Sequence, residues 1–174
     1  MRMVLLVCLG VLAGCGPKPG ARISYRDASL SIYSNAVFDA ARLQGEWVQV
    51  AGFQRPNGAS CSGGRAIFGP PDAEGRLRLK TSLCLSGQDT RFDGYVDTVA
   101  SGRFALSGAD PKGIGQVWWI LWADIDNRTL LIGTPSGDFG FILNREGRVP
   151  ADRLNAAREI LDFNGYDLTR LKVF

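Results

Sequence analysis

The sequence predicts an all-β domain of eight antiparallel strands, with one helix near the C-terminus packed outside the sheet. Three observations carry this. From Glu46 onward, short runs of alternating apolar character follow one another, separated by Gly, Pro, Asn and Asp, which is the pattern of an antiparallel sandwich or barrel. Over residues 150–165 the apolar spacing changes from the strand period to the helix period. The 22 glycines and eight prolines are dispersed between these runs, so they supply turns rather than a disordered tract.

The first strand is expected over residues 46–53, and the second is Arg65-Ala66-Ile67-Phe68. The second ends at Gly69-Pro70-Pro71-Asp72-Ala73-Glu74-Gly75, a strong turn signal. The cleanest strand covers residues 76–85. Its period of two places Leu77, Leu79, Leu83 and Leu85 on one face, and Arg76, Arg78, Lys80 and Cys84 on the other. Paired with the preceding run as a hairpin, it sets Cys61 and Cys84 equidistant from the middle of the turn, between Asp72 and Ala73. If Ala66 and Phe68 face the core, both cysteines point outward, and a cross-strand disulfide is geometrically reasonable. Further strands fall at residues 91–99, 103–107, 116–123, 129–133 and 139–145. Asp126-Asn127 and Pro135-Ser136-Gly137-Asp138 serve as tight turns between the last three. The helix starts at Pro150, is capped by Gly165, and carries Leu154, Ala157, Ile160 and Leu161 on one stripe. Leu171-Lys172-Val173-Phe174 closes the chain as a short apolar run.

Ahead of this domain, Arg2 and the apolar residues 3–11 lead into Leu12-Ala13-Gly14-Cys15. A positive charge, a short apolar stretch and small residues follow the grammar of a signal peptide, and the stretch is too short for a permanent membrane span. The last four residues resemble a bacterial lipobox, whose cysteine receives a diacylglyceryl group and becomes the first mature residue. The resemblance implies a signal peptide at 1–14, a lipidated tether at 15–36 and a domain at 37–174. Gly16, in place of Asp after the cysteine, is similar to lipoproteins destined for the outer membrane, so the expected location is the outer membrane, lipid-anchored and facing the periplasm. With Cys8 lost and Cys15 lipidated, Cys61 and Cys84 remain as a pair. In an exported chain they favour a disulfide, and two buried thiols are the alternative.

Composition excludes several function classes. The net charge of +3 is small and the basic residues are scattered, so no nucleic-acid surface is expected. Histidine is absent, which removes the Ser-His-Asp and Cys-His designs and the most common metal ligand. No zinc spacing and no Gly-rich phosphate loop occurs. Acidic residues lie mostly in turns or at outward strand positions. No catalytic residue, metal or cofactor is therefore expected, and the chain reads as a binding protein rather than an enzyme.

Residues 37–51, with Gly45-Glu46-Trp47 at the entry to the first strand, resemble the opening of a lipocalin. Residues 119–126, followed by Thr129-Leu130-Leu131-Ile132-Gly133, resemble the second lipocalin block, with Asp124 at its acidic position. Phe139-Gly140-Phe141-Ile142-Leu143-Asn144-Arg145 resembles the third block, which ends in arginine. Together with the late helix and the lipobox, these blocks are most similar to bacterial outer-membrane lipocalins. The resemblance runs from residue 37 to the C-terminus. It departs at Val48, where bacterial relatives carry an aromatic, at Gly63-Gly64, and at the tip formed by residues 109–115.

The resemblance implies an eight-stranded up-and-down barrel, plugged at one end and open at the other, with the helix outside. Such a barrel is either filled by side chains or holds one small ligand. It implies that Gly45, Trp47 and Arg145 form the plug, with the guanidinium stacked over the indole. Alternation then gives a ligand wall of Gln49, Ala51 and Phe53; Leu77, Leu79 and Leu83; Phe92 and Val96; Phe104 and Leu106; Trp119 and Leu121; and Phe139 and Phe141. On the strand at 116–123, the set Trp118, Ile120 and Trp122 alternates equally well. An aromatic, charge-poor wall suits an apolar ligand whose polar head stays near the mouth, where Arg55 could meet an anionic group. Fatty acid or lysophospholipid is the expected ligand. A flat pigment or other cyclic ligand, and a filled barrel acting as an envelope assembly protein, are the alternatives. A homodimer is left open.

Overall fold

The structure is a computed structural model that describes residues 23–55, 61–108, 114 and 117–174. Strand β1 spans Gly45–Phe53, β2 Gly64–Pro71, β3 Leu77–Leu85, β4 Gln88–Ala100, β5 Arg103–Gly108, β6 Trp118–Ala123, β7 Thr129–Gly133 and β8 Gly140–Asn144. Each pairs antiparallel with the next, and β1 pairs with both β2 and β8, which closes the barrel. Helix α1 (Ala151–Phe163) and a short strand β9 (Leu171–Val173) follow. Closure gives each of the eight barrel strands a partner on both sides, with β5 and β6 joined by only the pairs of Arg103 with Trp119 and Phe104 with Trp118.

Two apolar clusters lie on opposite faces of this wall. The interior cluster contains Trp47, Leu79, Phe104, Trp118, Ile132 and Phe141, among others. The outer cluster joins Val50, Leu131 and Ile142 to Ala157 and Leu161 of α1, with Leu154 and Ile160 packed against it. The stripe expected on the helix is thus its buried face. The alternation is plain in β8, where Phe141 and Leu143 point in and Ile142 points out beneath the helix.

The β2–β3 hairpin departs from the symmetric register: Arg65 faces Ser82, where symmetry would place Lys80. β2 also continues through Pro70 and Pro71, into the expected turn, by way of an irregularity between Phe68 and Pro71. The turn itself is closed by Asp72, whose carboxylate accepts the Arg76 and Glu74 amides at 2.8 and 3.1 Å. Cys61 and Cys84 are bonded, with Cα atoms 5.6 Å apart. Cys84 takes the outward face between Leu83 and Leu85, yet it is buried. Gln54 covers it, donating to the Cys61 carbonyl at 3.0 Å and to the Cys84 sulfur at 3.4 Å.

From residue 23 the segment before the barrel packs against the domain. Tyr25 is buried against Phe53, with ring centroids 5.4 Å apart, and Arg26 bridges to Tyr166 behind the helix. Cys15 and residues 1–14, expected to carry the lipid and the signal peptide, lie outside the described residues.

Candidate functional site

The barrel interior is the candidate site. Of the expected wall, Leu77, Leu79, Leu83, Phe92, Val96, Phe104, Phe139 and Phe141 lie in the interior cluster, and Leu106 packs against it. Gln49 is buried in the same phase as Trp47, but its amide is committed to backbone. It donates to the Cys84 carbonyl at 2.8 Å and accepts the Cys84 amide at 2.7 Å.

Four expected wall residues are on the wrong face: Ala51, Phe53, Trp119 and Leu121. All four belong to the outer layer beneath the helix. In β1 the cause is a bulge. Gln49 faces Leu143 and Ala51 faces Ile142, so Val50 is an extra residue and the phase reverses after it. Ala51 and Phe53 then turn outward. In β6 the alternative alternation holds, with Trp118 and Ile120 inside. A second bulge at Leu121, between Ile120 facing Ile132 and Trp122 facing Leu131, sends both Leu121 and Trp122 outward. Trp119 is stacked outside by Arg103, whose guanidinium carbon sits 3.9 Å from the ring centroid.

The interior gains residues that alternation had not assigned to the wall. Leu130 and Ile132 of β7 face in while Leu131 faces the helix, so the whole run is apolar and shows no alternation. Phe38 and Leu43 enter from the segment crossing the plugged end, and Ile114 enters from the β5–β6 connection. No signal short of the closed barrel marks Phe38 or Ile114 as interior.

At the plug, Trp47 is fully buried and donates from its indole to the Leu43 carbonyl at 2.7 Å. The Arg145 guanidinium carbon lies 3.6 Å from the ring centroid of Trp47. Arg145 also donates to the carbonyls of Arg42 and Gln44 at 3.0 and 2.8 Å, and of Glu46 at 3.1 Å. Burial pulls its pKa below the ordinary arginine value. Gly45 has φ +103°, and a Cβ there would stand 2.8 Å from an Arg145 nitrogen. Asp124 is a structural group at the same end, accepting the Arg128 and Thr129 amides at 2.7 Å and pairing with Arg153 of α1 at 3.1 Å.

Strand direction places the end opposite the plug, where the resemblance expects the opening, at Ser86-Gly87, the β7–β8 turn and the loop after β1. Among the described residues, the buried charged side chains are Arg26 and Asp124, and both bind elements outside the interior. Among the described residues, one interior polar group lacks a partner. The Trp118 indole N–H is buried without a hydrogen-bond partner, and its ring meets Phe141 edge-on at 5.2 Å. Two shallow grooves, of about 240 and 330 Å³, lie at the plugged end beside Asp124; both touch Ala123 and the smaller also Phe38, at the margin of the interior cluster.

The architecture is similar to that of lobster apocrustacyanin A1, with 15% identity over 78% of each chain and a TM-score of 0.56. Apocrustacyanin C2 is similar at 15% identity, covering 76% of this chain and 77% of that one, with a TM-score of 0.55. These likenesses are of fold. No curated protein matches the chain. The model of the lipocalin-like domain matches residues 38–174, which includes the plug, every barrel strand and α1. With that match over most of its length, the chain belongs to the lipocalin-like domain family.

Proposed function

We propose that the protein binds one apolar small molecule inside its barrel, fatty acid or lysophospholipid, and stores or carries it at the bacterial envelope while held there by a lipid on Cys15. One observation carries the ligand class: the interior is lined by aromatic and aliphatic side chains from all eight strands, with no charged side chain among the described residues there. A flexible hydrocarbon chain suits such a wall, and a charged head does not, so the head stays at the open end. Family membership and the absence of histidine support a binding role rather than catalysis. The sorting signal at Gly16 supports an outer-membrane location facing the periplasm.

The test is native mass spectrometry on folded chain beginning at Gly16, stripped of lipid and mixed with lysophospholipid, fatty acid or a control detergent. The expected result is a one-to-one adduct selective for lysophospholipid or fatty acid over detergent. Folded protein with no such adduct sinks the proposal and leaves a cyclic ligand or a filled scaffold.

A further inference from the structure

We infer that the lipid anchor turns the open end of the barrel toward the membrane, so that ligand passes directly between the bilayer surface and the barrel interior. The orientation rests on the proposed lipid at Cys15 and adds to it the face that meets the membrane.

The argument starts from where the described chain begins. Ser24 donates from its hydroxyl to the Ser136 carbonyl at 2.9 Å, and the Tyr25 amide donates to the Gly137 carbonyl at 2.7 Å. The Arg26 guanidinium donates to the carbonyls of Pro135 at 2.8 Å, Asn164 at 3.1 Å and Leu30 at 2.5 Å. Ser136 and Gly137 form the β7–β8 turn, at the end of the barrel opposite Trp47 and Arg145. The seat is tight, because a Cβ at Gly137 would lie 2.3 Å from the Arg26 side chain and 2.5 Å from the Ser24 hydroxyl. The N-terminal segment is therefore fastened to the rim of the open end.

Only residues 16–23 separate this seat from Cys15. A chain of that length spans about 28 Å at most when fully drawn out. The wall beside the seat is built of the five-residue strands β7 and β8, about 12 Å tall at the usual tilt when each residue takes about 3.3 Å. The anchor thus starts at the open rim and reaches a bilayer lying against it directly. To reach one lying against the plug, it must double back along the outer wall.

A second, independent observation lies beside the seat. Leu30, Tyr33 and Phe163 are 50%, 57% and 68% exposed. Tyr33 stacks on Phe163 with centroids 5.7 Å apart, and Leu30 rests on Gly165. Arg26 binds the carbonyls of Leu30 and of Asn164, the neighbour of Phe163, so the patch surrounds the point where the chain leaves the domain. Exposed tyrosine and apolar side chains next to an acyl anchor suit the interfacial layer of a bilayer. Val37 and Ile125, 91% and 93% exposed, are the competing apolar surface at the plugged end.

The experiment uses the full lipidated protein in phosphatidylethanolamine–phosphatidylglycerol vesicles that contain lipid-bound quenchers. An environment-sensitive fluorescent amino acid replaces Leu30 in one protein and Ile125 in another. Several-fold stronger quenching at position 30 is expected, and a flexible insertion after Gly20 should shrink the difference. Equal quenching, or stronger quenching at 125, in protein whose mass shows acylated Cys15 overturns the orientation alone. Mature protein without acyl mass on Cys15 overturns the anchor and the orientation together.

Discussion

The Gln49 side chain bonds both backbone groups of Cys84, at 2.8 and 2.7 Å, and thereby joins β1 to β3 where β2 has turned away. β2 leaves this pairing at Gly64, a position so close to β3 that a Cβ would lie 1.9 Å from the Ser82 carbonyl. The glutamine acts as a substitute strand across the opening. It occupies a position that alternation assigns to the ligand wall, yet its amide nitrogen and oxygen are both already bonded to backbone.

Gln49→Leu keeps the volume and leaves the Cys84 N–H and C=O unpaired and buried. Two such groups should cost about 2–4 kcal/mol. Urea denaturation is expected to show a lower midpoint with unchanged slope, together with near-normal ligand affinity in protein kept folded. Unaltered stability would sink the assignment.

Arg145 meets three carbonyls and an aromatic face at once, a geometry that suits a planar guanidinium and not an ammonium. Arg145→Lys should therefore destabilise the fold by about 1–3 kcal/mol despite conserving charge. Thermal melting compared with the wild type is the check. A Lys variant of wild-type stability would show that the stack contributes little.

Tyr166 is buried beneath the helix, where it accepts the Thr134 amide at 2.9 Å and lies 3.2 Å from the Thr134 and Phe139 carbonyls. Burial pushes its pKa up from 10.0 to about 12. The neutral phenol is thus favoured in the folded state, and its contribution is complete below pH 10. As pH rises from about 10 through 12, the unfolded chain gives up this proton first, and about 2–3 kcal/mol of stability should disappear. Denaturation midpoints measured on either side of this window should fall for the wild type and fall less for Tyr166→Phe. Parallel slopes would count against the shift.

Trp118 offers an unpartnered N–H to the barrel interior. A ligand with a carbonyl or hydroxyl at that depth gains one hydrogen bond, worth roughly twofold to tenfold in affinity. Trp118→Phe should weaken such a ligand by that factor and spare its plain hydrocarbon analogue, as read by calorimetric titration. Equal loss for both ligands would assign Trp118 to packing alone.

Local pattern made much of the fold legible. β7 falls at the expected residues 129–133, and β1, β3, β5 and α1 lie within a few residues of expectation, because turn residues bracket them and their apolar spacing is regular. The disulfide was legible as a pair of near neighbours, and Asp124 as a turn group. The wall was harder to derive. One extra residue at Val50 reverses the facing of Ala51 and Phe53, and another at Leu121 reverses that of Trp122; an extra residue inside an apolar run leaves no compositional trace. The run Leu130-Leu131-Ile132 hides its facing because both of its sides are buried. The segment at residues 23–35 falls in the expected tether, and the helix and the β7–β8 turn give Tyr25 and Arg26 buried places there.

Alternation, turn chemistry and the change of period in the chain itself determined the strands, their order and the helix, since these depend on interactions a few residues long. Whether the strands closed as a barrel or stacked as a sandwich was open to the same local pattern. Closure itself brought Arg145 over Trp47 and Gln49 against Cys84, and it seated Ser24 and Arg26 on the rim of the open end. Those contacts join residues far apart in sequence, so they exist only once β1 has paired with both β2 and β8.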